Sequence, residues 1–236
     1  MKITLLTGKI FDIAEAVGMD IKVVQARSGR KLTLKIDEKE RVPVLSVPRF
    51  CSRRKAIEFV TEHTDWIIKS LSKLPEIKYF TAGETISLFG QNIIIEHHPE
   101  ARRGVWLEEN RLCVSGATEF IHRRVRDYIK KRSQEEFYAR SKALADKLGC
   151  KLTGVSIKDT TSRWGSCSSL QHINYSWRIA LAPAYVIDYL MAHEVSHLKH
   201  HDHSDEFWAC VATLCPEWSN GRIWLKRYGK TLYAYK

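Results

Sequence analysis

Apolar and polar positions first fall into register at Leu32, Leu34 and Ile36. They alternate with Lys31, Thr33 and Lys35 and predict a half-buried strand. Residues 41–48 read as its partner, with Pro43 near an edge because proline cannot donate to a ladder. The period then lengthens. Ile57, Val60, His63 or Thr64, Ile67 and Leu71 share one helical face, Ser52 stands at the cap position, and Pro75 closes the segment. Upstream, residues 1–26 carry little pattern beyond a short helix over 11–17. Downstream, 76–116 breaks into short strands: 84–89 and 92–96 around Gly90, then a hairpin of 105–107 and 112–114.

Ser115 and Gly116 mark the expected domain boundary. A long helix follows over 118–148, with Phe120, Ile121, Val125, Tyr128, Ile129, Phe137, Ala143 and Leu144 on its core side and many Lys and Arg residues opposite. Gly149 fits its C-terminal end. Residues 155–158 and 173–179 read as strands. Pro183 then opens an apolar helix at a first-turn position, carrying Val186, Ile187, Leu190 and Met191. Ser204 caps a further helix that ends before Pro216, and 221–228 form a short last one. The fold class expected is α+β. Residues 1–116 make an N-terminal β-rich region with a helix, and 117–236 a second domain that includes the long linking helix.

The apolar helix ends in His193-Glu194-Val195-Ser196-His197. Residues four apart share a helical face, so His193 and His197 can direct two imidazoles at one ion. Glu194 lies about 100° around the helix, beside such an ion, where a base for a metal-bound water belongs. This is the H-E-x-x-H pattern of zinc hydrolases, and neutral imidazole is a good Zn²⁺ ligand. A third ligand is needed. His203, six residues beyond His197, is placed ahead of His200, His201 and the more distant carboxylate Glu217. A continuing helix would carry His200 and His201 away along its axis at about 1.5 Å per residue. His200 stands where the longer metzincin pattern has Gly, and the methionines are Met1, Met19 and Met191, so no Met-turn follows; both features argue against a metzincin.

Composition narrows the setting. With 44% hydrophobic and 28% charged residues, the 236-residue chain has ample material for a core. The net charge of +11 suits either a solubilising surface or a polyanionic partner such as nucleic acid. Six cysteines without a C-x-x-C pair argue against a zinc ribbon and a disulfide scaffold, and read as reduced. No stretch approaches the roughly 18 apolar residues of a membrane span, and the N-terminus lacks a signal-peptide run. A cytoplasmic location is expected.

Several words of the sequence occur together: Ser162-Arg163-Trp164-Gly165-Ser166-Cys167-Ser168, the segment 173–179, Leu181-Ala182-Pro183, the H-E-x-x-H helix, and His203-Ser204-Asp205-Glu206-Phe207-Trp208. In this combination the chain closely resembles the YgjP-like metallopeptidase family, related to the SprT-like and WLM zinc peptidases. The resemblance is dense from about Val155 to Leu225 and weaker upstream. It implies His193, His197 and His203 as zinc ligands, Glu194 as catalytic base, and a minimal zincin-like core of a small sheet against the zinc helix. It also implies a protein or peptide substrate. The strand over 172–179 would then border the cleft and take an extended substrate by strand addition. Arg163 would bind a carboxylate or buttress the site. Cys167 reads as a buried structural cysteine ahead of a residue near the metal, and Phe207 and Trp208 read as core. Two other readings stand beside this one: a basic nucleic-acid-binding protein with a structural zinc, and a peptidase recruited to nucleic acid.

Overall fold

The computed structural model describes residues 14–26, 31–160 and 163–236. They form two compact units that meet in sequence at Glu76 and Ile77. The expected helix over 11–17 is represented by α1 (Ala14–Val17); its earlier residues and Ser162 lie outside the described residues.

The first unit continues with β1 (Lys22–Gln25), β2 (Thr33–Asp37), β3 (Val42–Val47), α2 (Arg53–Glu62) and α3 (Thr64–Ser72). Strands β2 and β3 pair antiparallel, with Leu34 opposite Leu45. However, β3 is the central strand, because β1 runs parallel along its other side. That ladder begins at Val44, so Pro43 lies one residue short of it and no bond to β1 is forfeited. Ser52 caps α2, its Oγ accepting from the Lys55 N–H at 3.3 Å. The single helix expected through Leu71 breaks at His63, whose Nδ1–H donates to the Phe59 carbonyl at 2.8 Å. Val23, Leu45, Val47, Ala56, Val60 and Ile67 form the core of this unit.

In the second unit, β4 (Thr85–Leu88), β5 (Gln91–His98), β6 (Val105–Glu108) and β7 (Arg111–Ser115) make one sheet in the order β4-β5-β7-β6. The β6–β7 hairpin is the expected one. Strand β5 runs parallel to β7, with Ile95 opposite Leu112. Helix α4 (Ile121–Lys147) buries Ile121, Val125, Ile129, Ser133, Phe137, Ser141 and Ala145, a row of every fourth residue. Ala143 falls off that row and is exposed. Burying Val125, Ile129 and Phe137 contributes about 1.5–3 kcal/mol each, which holds an otherwise highly charged helix in place. Ile95, Leu112 and Val114 share one apolar cluster with Val125, Phe137, Ile173 and Val186. The strands before Gly116 and the helix after it therefore have a common core. This is why the units meet at 76/77, whereas the turn residues had suggested 116/117.

A second sheet follows: β8 (Gly154–Lys158), β9 (Gly165–Cys167) and β10 (His172–Ser176), in the order β8-β10-β9. The strand expected through Ile179 ends at Ser176 and gives way to a 3₁₀ turn, Trp177–Leu181. Arg178 in that turn is 1% exposed and forms an ion pair with Asp159. Its guanidinium also stacks on Trp177 and donates to the Tyr235 carbonyl at 3.1 Å. Helices α5 (Ala184–Ser196), α6 (Asp205–Leu214) and α7 (Trp218–Tyr228) complete the unit. Gly221 lets α7 approach α5 closely: a Cβ there would sit 2.8 Å from Cγ of Tyr189. Among the described residues, no helix is long and apolar enough to cross a membrane.

Candidate metal and catalytic site

Helix α5 is buried almost throughout, and its last turn delivers His193 and Glu194, with His197 as its C-cap. The chain then turns, and Ser204 starts α6 by accepting from the Phe207 N–H at 3.5 Å. His203 precedes that cap and is returned to α5. The ligand nitrogens of His193, His197 and His203 all lie within 4.8 Å of one another. Of the rivals for a third place, His200, His201 and Glu217 do not join this cluster. His200 instead supplies the carbonyl to which the His197 Nδ1–H donates at 2.9 Å.

Phe207 is the floor beneath the three rings. It is fully buried, with its centroid 5.0, 4.5 and 4.9 Å from those of His193, His197 and His203. Trp208 flanks His193 and His203, stacks on Trp218, and lies under the Arg222 guanidinium. The two residues taken as core from sequence thus differ: Phe207 is core, whereas half-buried Trp208 belongs to the rim.

Chemistry of the donor set fits a zinc ion. The carbonyl of His200 can only accept, so His197 carries its proton on Nδ1 and keeps a lone pair on Nε2. Burial, with His197, His203 and Arg222 nearby, pushes His193 down to about 3, leaving its imidazole neutral. His193 Nε2 and His203 Nε2 stand 3.4 Å apart. Two nitrogens on a tetrahedral zinc with Zn–N of about 2.0–2.1 Å would be separated by about 3.3 Å. His193 Nδ1 is buried without a hydrogen-bond partner.

Glu194 lies 4% exposed beside this cluster. Burial pushes its carboxyl up to about 8, against the opposing pull of Arg163. Gly165 of β9 makes room for it: a Cβ at that position would sit 2.6 Å from both Cγ and Cδ of Glu194. Glycine in the R-W-G-S-C word is therefore a space requirement imposed by the carboxylate side chain. Sequence reading singled out that word without finding this contact. Cys167 is half-buried, its Sγ donates to the Ser168 carbonyl at 3.6 Å, and burial pushes its thiol up to about 11. It lies outside the histidine cluster. A cavity of about 310 Å³ opens beside His193 and Glu194, lined also by Trp164, Gly165, Tyr189 and Lys226. A larger cavity of about 770 Å³ in the first unit, between Lys31, Phe50 and Phe59, has no comparable donor set among the described residues.

Strand β10, expected to receive an extended substrate, is interior to its sheet, with β8 on one side and β9 on the other. Its backbone groups are already paired. Among the described residues the edge strand is β9, whose Gly165 packs against Glu194.

His193 and His197 on one helix, the buried Glu194 and His203 from the following turn thus form one compact cluster. The chain belongs to the YgjP-like metallopeptidase family, whose metallopeptidase domain matches residues 30–228. That membership supports a metal-dependent protease acting on protein or peptide. No curated protein and no solved structure matches the chain.

Proposed function

We propose that the second unit is a zinc-dependent peptidase in which His193, His197 and His203 hold the ion and Glu194 is the general base. The observation that carries this reading is the convergence of three imidazole donors beside one buried carboxylate, with His193 and Glu194 opening onto one cavity. Held by the three histidines, zinc would supply Lewis acidity, polarising a peptide carbonyl and lowering the pKa of water so that a nucleophile forms near neutral pH.

The rest is done by the chain. Glu194 takes the proton from the attacking water and passes it to the leaving amine. Its burial favours this exchange, because the proton-holding form costs little in a dry site. Phe207 and the His197–His200 hydrogen bond fix ring orientation, and with it which nitrogen points inward. Gly165 sets the depth at which the Glu194 carboxylate sits. An extended substrate would add along β9, the edge strand of its sheet among the described residues.

The test is His203→Ala. His203 is exposed and lies between α5 and α6, outside both helices. Compared with wild type, the variant should bind one equivalent of zinc fewer and lose peptide hydrolysis with it. Hydrolysis that survives the loss of that zinc would refute the reading.

A further inference from the structure

The four-stranded sheet has a second face that the peptidase reading leaves unused. Ile93 and Ile95 of β5 and Leu112 and Val114 of β7 point into the core. Strand alternation then places Glu96, His98 and Cys113 together on the opposite face. Glu96 is the registered neighbour of Cys113, and His98 lies two residues further along β5 on the same side. Trp106 is the neighbour of Cys113 on the other flank.

One donor atom from each of Glu96, His98 and Cys113 lies within 4.8 Å of the other two. The cluster is dry. Cys113 is 1% exposed, and Glu96 Oε2 and His98 Nε2 are buried without a hydrogen-bond partner. Their closest polar neighbours are loose: His98 Nε2 is 3.4 Å from Glu96 Oε1, and Arg111 is 3.5 Å from Glu96 Oε2. A good charge-assisted bond would close to about 2.7–2.9 Å. Buried polar atoms in native proteins are nearly always satisfied, so two orphaned acceptors or donors beside a buried thiol call for a ligand.

We propose that Glu96, His98 and Cys113 form a second metal site, taking a thiophilic divalent cation of the zinc class. The donor set is nitrogen, oxygen and sulfur, which suits zinc and excludes the hard, all-oxygen preference of magnesium and calcium. Charge also balances. On binding, the Cys113 thiol gives its proton to solvent, and the thiolate with the Glu96 carboxylate offsets the two positive charges while His98 ligates through a ring nitrogen. Arg111 does not bar the site, because Glu108 offers it a second carboxylate at 4.0 Å and also pairs with Arg103. Trp106 packs against the His98 ring, with centroids 5.5 Å apart, and restricts its orientation. The ladder between β5 and β7 holds the ligands in fixed register without any loop closing around them.

The site is independent of the histidine cluster, and its test needs no enzymatic activity. Cobalt(II) titrated into metal-free protein should give a thiolate-to-cobalt charge-transfer absorption in the near ultraviolet, a signature that a three-histidine site cannot produce. The band should be absent in Cys113→Ser, strongly weakened in His98→Ala, and unchanged in His203→Ala. Zinc content should fall by one equivalent in His98→Ala, whose half-exposed ring is the substitution best tolerated by the fold. A folded wild type that shows no such band at saturating cobalt overturns the proposal. So does a band that survives in both Cys113→Ser and His98→Ala.

Discussion

Replacing Gly165 with alanine is the sharpest perturbation of the proposed catalytic carboxylate that leaves every proposed ligand in place. The backbone at Gly165 is not in the left-handed region, so alanine is excluded by space alone. Its methyl would stand 2.6 Å from Cγ and Cδ of Glu194, where carbon atoms prefer about 3.5–4.0 Å. The side chain must retreat by about 0.9 Å, or β9 must move by as much. Overpacking of this kind costs about 1–3 kcal/mol of stability. A displacement near 1 Å at a reacting group costs about 10²-fold in rate, equivalent to about 2.7 kcal/mol of barrier. The expected result for Gly165→Ala is therefore kcat lower by about two orders of magnitude, with zinc content unchanged and only a modest drop in denaturation midpoint. Steady-state peptide hydrolysis, metal analysis and urea unfolding read the three quantities. Undiminished kcat in a zinc-loaded variant would refute the idea that Gly165 sets the position of Glu194.

Two further outcomes follow from other contacts. Arg163 pulls the Glu194 carboxyl down, so Arg163→Ala should raise its proton affinity. The base must be ionised to act, so the acid limb of the kcat/KM pH profile should move to higher pH; no movement would remove Arg163 from the site. Arg178 is buried and pairs with Asp159, so Asp159→Ala strands a charge in the core. It should lower unfolding free energy in urea by about 3 kcal/mol, toward the lower end for broken buried pairs because Asp159 is itself partly exposed.

The proposed site was legible in sequence to the extent that its clustering is local. His193, Glu194 and His197 follow from helical spacing, and His203 from a short return of the chain closed by the Ser204 cap. What escaped was non-local. Gly165 meets Glu194 only because β9 packs beside α5, and no spacing rule connects residues in different elements. The Glu96–His98–Cys113 cluster was invisible for the same reason. The β6–β7 hairpin announces itself by its turn, but the parallel pairing of β5 with β7 passes over that hairpin and leaves no local mark. Gly116 read as a boundary because it is a turn, whereas the burial of Val114 and Val125 in one core decides the unit. The net charge of +11 has no role in the peptidase reading, and neither the family nor the site assigns it a nucleic-acid partner.

The central claim is tested most directly by exposing a peptide library to zinc-loaded wild type and to Glu194→Gln carrying the same zinc. The account predicts cleavage by the wild type and a loss of at least about 10²-fold in the variant, the scale of general-base catalysis, with metal content equal in both. Equal cleavage by the two proteins would contradict the role of Glu194, and no cleavage by a zinc-loaded, folded wild type would contradict the peptidase reading itself.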